Sequence, residues 1–123
     1  MIAADTSAWV DFSKGIASPH ARRLEACLKD GALVLPMHVL FEVLSGPGLT
    51  REAHQLISML PKLEIHSDFW ERASKMRRSL LKKGLKARSM DTLIAQNCID
   101  HGVSLIVADQ DFRHFKKFGL KLV

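Results

Sequence analysis

The sequence predicts an α/β domain built on a mostly parallel sheet. Short apolar runs alternate with longer amphipathic stretches along the chain, which is typical of strands separated by helices. The chain has 123 residues, so we expect a single domain over 1–123. No internal repeat, low-complexity tract or linker interrupts the alternation.

Capping and breaking residues define the predicted elements, because serine and threonine favour helix starts whereas glycine and proline end helices and strands. In the first half they predict a strand over 1–4, a helix capped by Thr6 or Ser7, a helix from Ser18-Pro19 to Gly31, a strand over 33–35 stopped by Pro36, a helix over about 37–44, and a helix capped by Thr50 and ended by Pro61.

The second half of the chain predicts a long helix and the clearest strand. Its elements are a strand over 63–65, a helix from Ser67 to about Lys83, a helix capped by Ser89 and ended by Gly102, a strand over 104–108, a short helix or turn over 112–118, and an edge strand over 120–123. Apolar residues at spacings of three and four predict the inward face of the long helix: Phe69, Ala73, Met76 and Leu80.

Composition excludes several classes of protein. Hydrophobic residues make up 47% and charged residues 25%, ordinary values for a globular domain, so disorder is not expected. No apolar run approaches the ~18–20 residues of a membrane helix. Asp5 comes too early for a signal peptide, and we expect a cytoplasmic protein. Two separate cysteines do not make a zinc site, which usually needs clustered ligands.

Basic residues are concentrated in one segment. Lysine and arginine number 18 against 13 acids, and eight of them lie between Arg72 and Arg88 without an acid. Four of these recur at spacings of three and four and can form one stripe: Lys75, Arg78, Lys82 and Lys86. Such a stripe would bind RNA phosphates in a salt-sensitive way; alternatively, it is only a solvated helix face.

Four acids occur where an α/β fold positions functional groups. Asp5 and Asp109 each follow a predicted strand, and ligands bind beyond the carboxyl ends of parallel strands. Glu42 lies among apolar residues of a short helix, and Asp91 lies in the first turn of another. Mg²⁺ prefers oxygen ligands, relieves the repulsion of crowded carboxylates, and can activate water against a phosphodiester.

Each of these acids also has a plain structural explanation. Asp91 can complement a helix dipole, and Asp5 can be a turn or capping residue. Glu42 can be a solvated helix residue, and Asp109 can begin a simple turn. The pattern by itself therefore leaves the choice between structure and chemistry open.

The four acids lie in four characteristic segments: Ala4-Asp5-Thr6-Ser7-Ala8-Trp9, Leu40-Phe41-Glu42-Val43-Leu44-Ser45-Gly46, Ser89-Met90-Asp91-Thr92-Leu93-Ile94-Ala95 and Leu105-Ile106-Val107-Ala108-Asp109-Gln110-Asp111-Phe112. In order and spacing these segments resemble the PIN-domain family, and especially the VapC-like toxins of bacterial toxin–antitoxin pairs. Together they span almost the whole chain. The resemblance implies a three-layer α/β/α fold and a metal-dependent endoribonuclease.

The resemblance also implies roles for individual residues. Asp5 and Asp91 would be direct ligands of Mg²⁺, for which Mn²⁺ can substitute, and Glu42 and Asp109 would hold a second ion or activate water. The hydroxyl of Thr6 or Ser7 would orient the first aspartate. Two positions complicate the assignment of the family's residue roles to this sequence. Ala108 stands where relatives often carry a hydroxyl or amide, and Asp111 is an alternative to Asp109 as the fourth acid.

The same resemblance implies partners: an RNA substrate, a small VapB-like antitoxin and a second copy of the chain in a homodimer. Two other functions remain open, a housekeeping RNA-processing nuclease and a non-catalytic PIN-like module that binds RNA or protein. The clustered acids argue against the non-catalytic module, because a binding surface gains nothing from anions that face phosphate.

Overall fold

Five short strands and six α-helices alternate along the chain in the computed structural model, which describes residues 1–123. The strands are β1 (Ile2–Ala4), β2 (Leu35–Pro36), β3 (Lys62–Leu63), β4 (Ser104–Ile106) and β5 (Lys121–Leu122). The α-helices are α1 (Thr6–Ser13), α2 (Pro19–Lys29), α3 (Met37–Leu44), α4 (Arg51–Met59), α5 (Phe69–Lys82) and α6 (Ser89–His101). A 3₁₀ helix over Gln110–Phe118 connects β4 to β5.

All strand pairs are parallel, as predicted. β1 pairs with β4, with Ile2 opposite Ser104; β4 pairs with β5, and β2 pairs with β3. A parallel bridge between Ile2 and Leu33 joins the two groups, so the strand segments follow the order β3-β2-β1-β4-β5. From β1 the chain first adds β2 and β3 on one side and then adds β4 and β5 on the other, so the direction of the connections reverses between β1 and β4. In open parallel sheets, the ligand crevice forms at that reversal, beyond the carboxyl ends of the strands.

The handedness of the connections explains why helices cover both faces of the sheet. Crossovers between parallel strands are right-handed, so connections that move in opposite directions along the sheet put their helices on opposite faces. The β1-to-β2 connection carries α1 and α2, which pack together, whereas the β3-to-β4 connection carries α5 and α6. The 3₁₀ helix packs on α6. The three-layer α/β/α fold is therefore confirmed.

The core lies between the sheet and the helices. Leu105 and Ile106 of β4 are fully buried, and a single apolar cluster connects them to the other strands and helices. The inward face predicted for α5 is confirmed, since its four residues are the buried positions of that helix. None of the helices combines the length and the apolar character that a membrane crossing requires.

The strands are shorter than predicted, or shifted along the chain. The strand predicted over 33–35 lies at Leu35–Pro36, so Pro36 belongs to the strand and does not stop it. The Leu35 N–H donates to the Pro61 carbonyl at 2.8 Å, and Pro36 pairs opposite Leu63 without needing an N–H of its own. The strand predicted over 63–65 is Lys62–Leu63, and the edge strand predicted over 120–123 is Lys121–Leu122. The strand predicted over 104–108 ends at Ile106, since the Ala108 N–H donates to a side chain instead of the sheet.

Two helix starts predicted from hydroxyl residues are confirmed. The Ser18 hydroxyl accepts a hydrogen bond from the Ala21 N–H at the start of α2. The Thr50 hydroxyl accepts one from the Ala53 N–H at the start of α4.

Two other predicted helix starts are wrong by one or two residues. Asp68, with a left-handed φ of 60°, precedes α5 in place of the predicted Ser67. Arg88 precedes α6, and Ser89 is the first residue of that helix rather than its cap. The Arg88 carbonyl accepts from both the N–H and the hydroxyl of Thr92, so the first turn closes one residue earlier than predicted.

Candidate active site at the carboxyl end of the sheet

Asp5 lies directly after β1 and is only 3% exposed. Its Oδ1 accepts a hydrogen bond from the Ala8 N–H at 3.0 Å, and its Oδ2 accepts one from the Ala108 N–H at 3.2 Å. Asp5 therefore caps α1, which is the structural role that the sequence left open for it, and the predicted caps Thr6 and Ser7 lie inside the helix. The same carboxylate connects β1 to the turn that follows β4.

Burial raises the pKa of Asp5 above its ordinary value. The two backbone hydrogen bonds and the charge of His20 act in the opposite direction, and the negative charge of Asp109 raises the pKa further. The charged form of Asp5 is thus costly to bury and is repelled by a second carboxylate. A bound cation relieves both effects.

Asp91 lies in the first turn of α6 and is half-buried. Burial is the main cause that raises its pKa to about 6, and repulsion by Asp109, Asp5 and Glu42 adds to it. The positive charge of Arg88 acts in the opposite direction. The four predicted acids therefore influence one another electrostatically although they come from four separate segments of the chain.

Glu42 projects from α3, which contacts both α1 and α6. The hydroxyl of Thr6, the first residue of α1, donates to Glu42 Oε1 at 2.6 Å. Thr6 therefore orients Glu42, whereas the family resemblance implied that Thr6 or Ser7 would orient the first aspartate. Two backbone N–H groups orient Asp5 instead. Ser7 is exposed.

Asp109 caps the 3₁₀ helix and faces a cation. Its Oδ1 accepts a hydrogen bond from the Asp111 N–H at 2.8 Å, and its Oδ2 lies 3.8 Å from Arg88 Nη1. The carboxylate of Asp111 lies 3.6 Å from Lys86 Nζ. Of these two acids, only Asp109 is among the charges that raise the pKa of Asp5 and Asp91.

The donor set fits a hard divalent cation, although the side chains do not yet surround one. No three Asp, Glu, His or Cys side chains lie close enough together to hold a metal ion. Three of the four carboxylates instead accept hydrogen bonds from the protein, whereas no hydrogen bond is among the causes of the Asp91 shift. All donors are carboxylate oxygens that repel one another, which suits Mg²⁺ better than zinc.

The predicted basic stripe is only partly present. Lys75, Arg78 and Lys82 are exposed on α5, as expected for one helix face. Lys86 does not continue it, because α5 ends at Lys82 and Lys86 lies in the following loop beside Asp111.

Two groups of the site were not identified from the sequence. Arg88 was counted only among the basic residues, although its position three residues before Asp91 at a helix start could have indicated that the two side chains are neighbours. The role of the Ala108 N–H could not be recognised in the sequence, because every residue except proline supplies a backbone donor.

Comparison with known proteins gives related sequences over almost the whole chain. The family model of the PIN domain matches residues 2–118. Ribonuclease VapC11 of Mycobacterium tuberculosis is 33% identical over 121 residues, and the match covers 91% of this chain and 89% of the relative. A VapC ribonuclease of Mycobacterium bovis matches with the same identity and coverage.

Solved structures share the fold at lower identity. The structure of VapBC2 from Rickettsia felis bound to a promoter DNA fragment matches with a TM-score of 0.72 at 22% identity, covering 100% of this chain and 98% of that chain. The DNA-bound VapBC structure from Salmonella typhimurium matches with a TM-score of 0.70 at 19% identity and the same coverage.

Proposed function

The chain belongs to the PIN-domain family, and from that premise we propose that it is a metal-dependent endoribonuclease, the toxin of a VapC-like toxin–antitoxin pair. The observation that carries the proposal is the meeting of four acids from separate segments: Asp5 accepts from the N–H of Ala108, which precedes Asp109, and Thr6, which follows Asp5, donates to Glu42. Burial, together with repulsion from Asp109, Asp5 and Glu42, raises the pKa of Asp91 to about 6. This mutual repulsion is expected where an α/β protein binds a cation. Relatives named ribonucleases support RNA as the substrate.

We assign Asp5 and Asp91 as the direct ligands of Mg²⁺, with Mn²⁺ as a substitute. Asp5 is held in one orientation by two backbone N–H groups, and each of its oxygens keeps a second lone pair. The charged form of Asp91 gains no hydrogen bond that lowers its pKa. A divalent ion would thus supply the stabilisation that the protein does not give to Asp91.

We assign Glu42 and Asp109 to complete the site, by holding a second ion or by activating water. Asp109 is preferred over Asp111 as the fourth acid because, of the two, only Asp109 is among the charges that raise the pKa of both proposed ligands. When bound, the metal would polarise the phosphodiester and lower the pKa of a water molecule. Glu42, oriented by the Thr6 hydroxyl, is the group we assign to accept the proton of that water.

The proposed activity is tested directly with purified, partner-free protein and mixed cellular RNA. We expect cleavage with Mg²⁺ or Mn²⁺, loss of cleavage when EDTA is in excess, and recovery when the metal is restored. Gel or sequencing analysis of the products would locate internal cuts. A folded sample that cuts no RNA with either metal would contradict the proposal.

The exposed basic residues at the end of α5 and in the following loop are expected to bind RNA phosphates. Replacing both Lys82 and Lys86 by alanine should weaken RNA binding at low salt and reduce the slope of log K against log salt by about 1–2. The melting temperature should not change, since both side chains are exposed. The control is a double replacement on α2, Arg22→Ala with Lys29→Ala, which should leave the slope unchanged. If the two double variants have the same slope, Lys82 and Lys86 do not bind RNA phosphates.

We also propose two protein partners, a small VapB-like antitoxin and a second copy of the chain. Exposed apolar side chains close to Glu42 support a protein partner, namely Val10 on α1 and Phe41 and Leu44 on α3. Light scattering of the purified protein should give twice the 13.8 kDa chain mass. Co-purification with the product of an adjacent small gene, together with inhibition of cleavage, would support the antitoxin.

A further inference from the structure

The loop between α5 and α6 brings two cations against the turn that carries Asp109 and Asp111. Arg88 Nη1 lies 3.8 Å from Asp109 Oδ2, and Lys86 Nζ lies 3.6 Å from Asp111 Oδ2. The two cations are two residues apart, as are the two acids. One of these pairs, Arg88 with Asp109, includes an acid assigned to the metal site.

The backbone of Arg88 is held by hydrogen bonds, while its side chain is largely exposed. Its carbonyl accepts hydrogen bonds from the N–H of Thr92 at 2.9 Å and from the Thr92 hydroxyl at 2.8 Å, and Thr92 is buried. The Arg88 side chain is 59% exposed, and 3.8 Å to Asp109 exceeds hydrogen-bond distance. The guanidinium therefore lies beside the acids without forming a hydrogen bond to Asp109.

A purely structural ion pair does not explain this position well. Exposed pairs of this kind contribute little to stability, because solvent screens them and ordering the side chains costs entropy. A cation beside the metal ligands also opposes the binding of a divalent ion. A guanidinium is, however, suited to hold a phosphate through two parallel hydrogen bonds.

We propose that Arg88 binds the RNA phosphate at the metal site and that Asp109 holds the guanidinium while RNA and metal are absent. This inference rests on the proposed ribonuclease function. Release of Arg88 from Asp109 would free the carboxylate for the metal and the guanidinium for the phosphate. The same side chain thereby weakens metal binding in the RNA-free protein and strengthens RNA binding in the loaded one.

The test compares Arg88→Ala and Arg88→Lys with Arg22→Ala, an exposed arginine on α2. The first measurement is the Mn²⁺ affinity of the RNA-free protein by titration calorimetry. We expect Arg88→Ala to bind Mn²⁺ about two- to five-fold more tightly, the range for one exposed ion pair. Arg88→Lys retains the charge and should bind Mn²⁺ as the wild type does.

The second measurement is kcat/KM for RNA cleavage at saturating Mn²⁺. Arg88→Ala should lower it about 10–100-fold, the range for a hydrogen bond to a charged group, and Arg88→Lys should recover part of the loss because it donates to one oxygen only. Arg22→Ala should change neither quantity.

The opposite signs of the two effects distinguish the proposed role from a structural one. Weaker or unchanged Mn²⁺ binding in Arg88→Ala, or unchanged cleavage, would overturn the role of Arg88 while the wild type still cuts RNA. A wild type that binds Mn²⁺ and cuts no RNA would instead overturn the ribonuclease function and, with it, the phosphate-binding role.

Discussion

Replacing Asp91 by asparagine is expected to abolish RNA cleavage and, at the same time, to stabilise the metal-free protein at neutral pH. Loss of a group that only supports a metal ligand costs about 10–100-fold in activity, so loss of the ligand itself should cost more. The fold should gain about 1 kcal/mol, or roughly 3–6 °C in melting temperature, because a repelled carboxylate becomes neutral. Because Asp91 is partly exposed, solvent screens the repulsion and keeps this gain small.

The stabilisation by Asp91→Asn should depend on pH with a defined sign. Because the pKa of Asp91 rises from 3.8 to about 6 on folding, the folded protein binds the proton more tightly than the unfolded chain. The stability that this group contributes is present at low pH and is lost as the pH rises through about 6. Variant and wild type should therefore melt alike near pH 4 and differ most above pH 7.

Calorimetry of both proteins in EDTA, and then with Mn²⁺, completes the test of Asp91. Mn²⁺ should raise the melting temperature of the wild type and leave that of Asp91→Asn nearly unchanged, since a ligand stabilises only the state that binds it. Asp30→Asn, a change at an exposed acid after α2, is the matched control. An Asp91 variant that is less stable than the wild type in EDTA would contradict the assigned repulsion.

Replacing Asp5 by alanine is expected to abolish cleavage and to destabilise the fold, the opposite of the stability effect at Asp91. The change removes the cap of α1 and leaves the N–H groups of Ala8 and Ala108 without their acceptors. A lost cap costs about 0.5–2 kcal/mol, and the lost hydrogen bond from Ala108, an exposed residue whose N–H water can reach, costs about 0.5–1.5 kcal/mol. The relief of burying one charge offsets part of this, so we expect a net loss of about 1–2 kcal/mol.

Asp5→Asn separates the two structural contributions of Asp5. Asparagine is as good a helix cap as aspartate, but its side chain has only one acceptor oxygen. We expect it to keep the hydrogen bond from Ala8, to lose the one from Ala108, and to melt between the wild type and Asp5→Ala. Urea unfolding in EDTA measures all three proteins. Equal stability of Asp5→Ala and the wild type would show that the two hydrogen bonds do not stabilise the fold.

These opposite expectations decide which variant tests the catalytic role. Inactivity of an Asp5 variant can reflect partial unfolding, whereas inactivity of a stabilised Asp91 variant cannot. Asp91→Asn is therefore the sharper test of the proposed metal site, although the two aspartates are equal as candidates in the sequence.

Local patterns predicted the helices well and the strands less well. The α5 stripe repeats over about three turns, so its inward face followed from spacing alone, and hydroxyl caps identified the starts of α2 and α4. Strands of two or three residues carry too few positions for such a pattern. Their ends depend on which partner each backbone group finds, as at Ala108, whose N–H leaves the sheet for Asp5.

The sequence by itself determined the fold class, the four acids and their family resemblance, because element type and motif residues are properties of contiguous segments. Only the tertiary structure decided what each acid contacts. Asp5 caps a helix and connects β1 to the turn after β4, Thr6 orients Glu42, and Arg88 faces Asp109. These contacts join residues 21 to 103 positions apart or depend on backbone donors that any sequence supplies. Their energies come from distance and burial in space, which local sequence does not encode.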